Sequence, residues 1–194
     1  MVEEKNLETI LKTRNQLNKQ FNEKLIKTMV IMFIDIAIPT KIIDDDSGFV
    51  EMSLSREHNG LIFPIIEEYG GKVVNVNAGK RLVSFDSTEQ AALAAIKIQE
   101  VFEDKNLNTS DSDNNISVVI SINYGDVLEE TDNLFGNAVN VAAQMAGDID
   151  ESAILVSQDF YSQIKNLKNI LVRYFRTIRL EGKEYPVELY KVIH

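Results

Sequence analysis

Val30 to Ala37 reads VIMFIDIA, seven apolar residues around one carboxylate, Asp35. A short apolar run of this kind reads as a buried strand. An ionised carboxylate in a buried strand costs several kcal/mol, about as much as a whole domain has to spare, unless something pairs with it. The chain must therefore cover this strand with other elements and also supply Asp35 with a partner.

The chain has 194 residues, 44% of them apolar, which suits one globular domain plus an appendage and excludes disorder. No apolar run approaches the roughly 18 residues of a membrane span. The N-terminus MVEEKNLETILKTRNQ lacks an apolar signal core. With no cysteine there is neither a disulfide framework nor a thiolate metal site. A cytoplasmic protein without a membrane span is the expectation. Net charge is −10, and residues 1–28 carry six basic and four acidic side chains, which leaves −12 for the rest. A body this acidic repels polyphosphate backbones, so nucleic-acid binding is not expected, and a nucleotide site would need cations or local basic residues.

Residues 3–27 read as a helix, with Leu7, Ile10, Leu11, Leu17, Phe21, Leu25 and Ile26 at helical spacing. It either packs on its own domain or forms a short dimerising or signal-transmitting coil, with Arg14 in the seam. After the strand, Pro39 and Asp44–Gly48 mark a loop. Residues 49–68 read as a helix with a bend near Pro64. GGKVVNVNAGKRLVSF gives a hairpin turning at Ala78-Gly79, and STEQ, Ser87–Gln90, is a capping box opening a helix to about Glu103. A polar loop at 105–115 precedes the strand ISVVISINYGDV, the short helix FGNAVNVAAQMAG, the strand AILVS and the helical turn QDFYSQI. Residues 170–193 form a closing hairpin with its turn at Glu181-Gly182. This order, with its hairpins, predicts an α+β fold, a mixed α/β sandwich with helices on a mixed sheet, and not a doubly wound parallel sheet.

The phrases VIMFIDI, EEYGGKVVNVNAGKRLVSF, AALAAIKIQ, ISINYGDV, FGNAVNVAAQ, AILVS and RLEGKEYPVELYKV, in this order over about residues 29–193, resemble the catalytic domain of class III adenylate and guanylate cyclases. The resemblance implies a ferredoxin-like core with a mostly antiparallel mixed sheet. It divides the chain into an N-terminal helix, 1–28, and a cyclase homology domain, 29–194. It also implies a head-to-tail homodimer or a heterodimer with another cyclase-type domain, a purine nucleotide ligand, and Mg²⁺ or Mn²⁺ held by two aspartates.

Carried over position by position, the family's site is degenerate. The first metal aspartate is Asp35, and the second falls on Gly79, which has no side chain to ligate with. The base-reading lysine falls on Asn75 and the base-reading aspartate on Asn137. The ribose-steadying asparagine is present as Asn140, and the transition-state arginine falls on Gln144. Ile38-Pro39 replaces the phosphate-cradling Gly-Phe pair, and proline has no N–H to donate. Lys183 stands where some members place a phosphate contact, or is a solvated turn lysine. Neither half of the two-chain site is whole, so a partner would not restore it. On this reading no cofactor is expected, with Mg²⁺ or Mn²⁺ relevant only to residual activity.

Asp35 is then either a relic paired to Lys80 or Arg81, or a retained single-metal ligand. His58 is expected to face solvent, His194 is terminal, and Asp44–Asp46 is a solvated loop or a weak Ca²⁺ site. Three functions stay open: an inactive dimerising or regulatory module in cyclic-nucleotide signalling, a divergent cyclase using Glu67, Glu68 or Asp126 instead, and a nucleotide sensor without turnover.

Overall fold

The computed structural model describes residues 12–14, 26–37, 47–77, 79–108, 115–130, 133–147, 152–181 and 185–193. Its elements run β1 (Ile26–Ala37), α1 (Ser47–Glu68), β2 (Lys72–Asn77), β3 (Lys80–Phe85), α2 (Thr88–Leu107), β4 (Ser117–Glu130), β5 (Asn133–Phe135), α3 (Asn137–Ala146), β6 (Ala153–Ser157), α4 (Gln158–Ile164), β7 (Leu171–Ile178) and β8 (Val187–Ile193). Residues 12–14 are helical. The remainder of the expected first helix, Ile38-Pro39, Asp44–Asp46, Lys183 and His194 lie outside the described residues. Ile26–Thr28, expected to end that helix, instead open β1, because Ile26 pairs with Leu128 and continues the β4 ladder.

The strands form one sheet in the order β2-β3-β1-β4-β6-β8-β7, with β5 paired to β4. The pairing of β4 with β6 is parallel and every other pairing is antiparallel. This is the mixed, mostly antiparallel α+β sheet expected. The short strand β5 has no counterpart in the sequence reading.

The apolar run that opened the argument is a central strand, with β3 on one side and β4 on the other. Strand side chains alternate between faces. Val30, Met32, Ile34 and Ile36 pack with Ile62 and Ile66 of α1, Ala91 to Ile98 and Phe102 of α2, and Phe160 and Ile164 of α4. Met29 and Ile31, with Phe33 beside them, pack with Ala138 and Ala142 of α3 on the other face. Fully burying one large aliphatic side chain is worth about 2–3 kcal/mol, and β1 buries six apolar residues.

Local chemistry fixes the joints. The Ser87 hydroxyl accepts from Gln90 N at 3.3 Å and caps α2, and the Ser157 hydroxyl accepts from Phe160 N at 3.2 Å and caps α4. Gly71, just before β2, lies beside Phe85, where a Cβ would stand 2.5 Å from the ring, so only glycine fits without displacement. α3 is tied to the sheet by buried polar groups. The Ser121 hydroxyl donates to Ala142 O at 2.6 Å, and Asn123 Nδ2 donates to Ala138 O at 2.9 Å. The Ser157 hydroxyl in turn donates to Asn123 Oδ1 at 2.6 Å, so one asparagine couples α3 to the cap of α4.

Candidate active site

Asp35 lies near the C-terminal end of β1, directly opposite Lys80 at the start of β3. Lys80 Nζ stands 3.3 Å from Asp35 Oδ2, with the carboxylate side chain 29% and the ammonium 54% exposed. The partner that the sequence required is therefore Lys80. Arg81, the other candidate, points to the opposite face of the sheet, as successive strand residues must. It is buried beneath α1, donating from Nε to Asn59 Oδ1 at 2.8 Å, from one terminal nitrogen to Gly79 O, and from the other to Ser55. Burial lowers its pKa while the charge of Asp35 raises it.

Gly79 sits at the hairpin turn with φ +82°, a left-handed conformation that glycine adopts without strain. The hairpin thus brings Asp35, Lys80, Gly79 and Asn75 into one place. Beside them a groove of about 300 Å³ is lined by Phe33, Asn75, Asn77, Lys80 and Leu82.

The other expected positions gather on α3. Asn137, Asn140 and Gln144 recur at i, i+3 and i+7, which is one helix face. Asn137 and Asn140 are exposed, whereas Gln144 is half-buried. Gln144 is spent on structure. Its Oε1 accepts from Glu181 N at 2.7 Å and its Nε2 donates to Glu181 O at 3.3 Å, which fastens α3 to the β7–β8 connection. A second groove, about 500 Å³, opens there between Gln144, Gly147, Arg179 and Leu180. Arg179 was not singled out in the sequence, since only this contact between distant segments brings it beside Gln144.

His58 corrects an expectation. It is 1% exposed, not solvent-facing. Its ring meets Phe102 of α2 edge-on at 5.4 Å, and neither ring nitrogen has a hydrogen-bond partner. Burial, with the charges of Lys105 and Arg81 adding to it against Glu57, pushes its pKa down to about 4. Of the alternative carboxylates, Asp126 accepts from the Thr28 hydroxyl at 2.5 Å, on the ladder opposite β1. Glu67 and Glu68 end α1, before the turn into β2.

The donor set does not suit the Mg²⁺ or Mn²⁺ that the cyclase resemblance implies. Such ions lean on carboxylate oxygens. Here Asp35 faces an ammonium, Gly79 at the neighbouring turn has no side chain, and no group of three His, Asp or Glu among the described residues converges on a point. Among the described residues, too, no helix is long and apolar enough to cross a membrane.

Comparison with known proteins gives the family. The chain is 23% identical over 140 residues to "Putative adenylate cyclase 3" of Rhizobium meliloti (strain 1021), spanning 72% of this chain and only about a quarter, 24%, of that relative. Its fold is similar to the crystal structure of an adenylate/guanylate cyclase/hydrolase from Silicibacter pomeroyi, with a TM-score of 0.78 and 22% identity, covering 87% of this chain and 98% of the other. It is also similar to the non-canonical dimeric guanylyl cyclase domain of the RhoGC fusion protein from Blastocladiella emersonii, with a TM-score of 0.65 and 22% identity over 87% and 97% of the two chains. The sequence profile of the adenylate and guanylate cyclase catalytic domain matches residues 21–193, so this chain belongs to that family.

Proposed function

We propose that the chain is a cyclase-homology domain that has lost turnover and works as a dimerising or regulatory module, with a copy of itself or with an active cyclase-type domain. The observation that carries this reading is the Asp35–Lys80 ion pair. An ammonium 3.3 Å from the remaining carboxylate occupies the electrostatic place of a divalent cation and opposes its entry. Losing the second aspartate weakens metal–nucleotide binding. Losing the transition-state arginine typically costs a hundredfold or more in rate, about 3 kcal/mol. Gln144, held by the Glu181 backbone, supplies no positive charge in its place. A cytoplasmic location belongs to the same reading.

The groove at Phe33, Asn75 and Asn77 favours a second reading, a sensor that binds a purine nucleotide without turning it over. It has an apolar floor, two carboxamides able to read a base edge, and a cation at its rim.

One set of measurements separates these. Purified chain with ATP or GTP and Mn²⁺ should release no cyclic nucleotide above a buffer blank, and steady, protein-dependent release would overturn the proposal. A rise in Tm with nucleotide and metal would support the sensor, because a ligand of the native state stabilises it. The combined change Gly79→Asp, Asn75→Lys, Gln144→Arg and Lys80→Ala should confer activity if the family's dimer still assembles.

A further inference from the structure

Charge is unevenly distributed along this chain. Residues 165–179, KNLKNILVRYFRTIR, carry five basic residues and no acid, leaving −15 on the remainder. This segment leads into and forms β7, the last strand of the sheet order, paired on one side with β8. Its other edge carries no strand among the described residues, so a row of backbone N–H and C=O groups faces outward there. Leu171, Tyr174 and Phe175 are exposed at 66%, 55% and 37%.

A bulge organises the charges. Arg173 lies opposite Lys191 and Arg176 opposite Leu189, with Phe175 as the extra residue between. In a regular strand, residues three apart point to opposite faces. The extra residue restores the phase, so Arg173 and Arg176 share one face with Lys191. Arg173 and Lys191 are like charges directly opposed, an arrangement that disfavours strand pairing. The strand ends at Ile178, and Arg179, the next residue, lines the groove of about 500 Å³ beside Gln144. The register thus sets two basic residues against each other at a place where opposite signs would attract.

We propose that the outer edge of β7 docks an acidic, extended segment of a partner protein as an added strand. Main-chain hydrogen bonds supply the affinity and the arginines the selectivity. The same charges repel a second copy of β7, so the edge rejects its own kind and admits its opposite. A membrane or a nucleic acid is disfavoured by size. β7 spans only about 26 Å, and a larger polyanion would reach beyond it to the acidic body, outside a screening length of about 8–10 Å. This inference does not depend on whether the chain turns over nucleotide.

The test uses the full chain and a fluorescein-labelled peptide of alternating Glu and Val, about ten residues long to span the strand. Anisotropy should show saturable binding that weakens by roughly tenfold or more between low salt and about 0.3 M. Hydrogen exchange should show new protection of the β7 amides. Arg173→Glu with Arg176→Glu should weaken binding by at least about tenfold. The variant should stay folded by circular dichroism, because Glu at 173 would face Lys191 with opposite sign. Absence of saturable binding, unchanged affinity in the folded variant, or unprotected β7 amides would overturn the proposal. So would tighter binding to phosphatidylserine vesicles or to a single-stranded oligonucleotide, either of which would make the strip a general polyanion site.

Discussion

His58 offers the sharpest test of how this core is built. The ring lies between α1 and α2, 1% exposed, with both nitrogens unpartnered and its pKa pushed down to about 4. In the unfolded chain it titrates near 6.5. The folded state therefore resists a proton that the unfolded state accepts. This group costs nothing above about pH 7, costs progressively more as pH falls through 6.5, and reaches its full cost below about 4. A gap of about 2.5 pK units corresponds to about 3 kcal/mol, of which about 2 kcal/mol is already lost at pH 5. In a chain of this length each kcal/mol moves Tm by about 2–4 °C. His58→Leu should remove that share of the acid sensitivity. Between pH 7.5 and 5 the parent should lose about 4–8 °C more in Tm than the variant, since carboxylates titrate in both and cancel. At pH 7.5 the variant should be no less stable, because it replaces two unpartnered buried polar atoms. With only two histidines in the chain, the ring resonances also report directly. A His58 signal titrating near 6.5, or parallel acid slopes in parent and variant, would refute the reasoning.

Asn123→Leu should cost about 3 kcal/mol in urea unfolding, because it orphans Ala138 O and removes the acceptor of the Ser157 hydroxyl. Arg81→Lys should cost about 2 kcal/mol by the same measurement. An ammonium keeps the charge but cannot reach Asn59, Gly79 O and Ser55 together, as the planar guanidinium does.

The parts legible in the sequence were those decided by local chemistry. Seven apolar residues around Asp35 announced a buried strand, Gly79 placed the first hairpin turn, and Ser87 capped its helix as expected. Lys80 and Arg81 could both be named as partners for Asp35 because they lie in the hairpin, but only the register of β3 against β1 decides for Lys80. Where the answer lay in distant contacts, the sequence was silent or misleading. Leu25 and Ile26 continue a helical period, yet Ile26 is claimed by a β4 residue about a hundred positions away. His58 sits among polar neighbours in sequence, and only the packing of α1 on Phe102 buries it. The hold of Gln144 on Glu181 spans two segments that no periodicity connects. β5 is three residues long, too short to carry an alternation.

The arrangement of β1 sets a condition on how this chain emerges from a ribosome. Its first neighbour, β3, follows within about fifty residues, but Ile26 and Met29 must wait for Leu128 and Gly125. At about 5–20 residues per second, that is on the order of 5–20 s during which one flank of VIMFI stays uncovered. Holdase chaperones that seize unguarded hydrophobic strands would find their best target here, and slowing translation between β3 and β4 should lower the soluble yield.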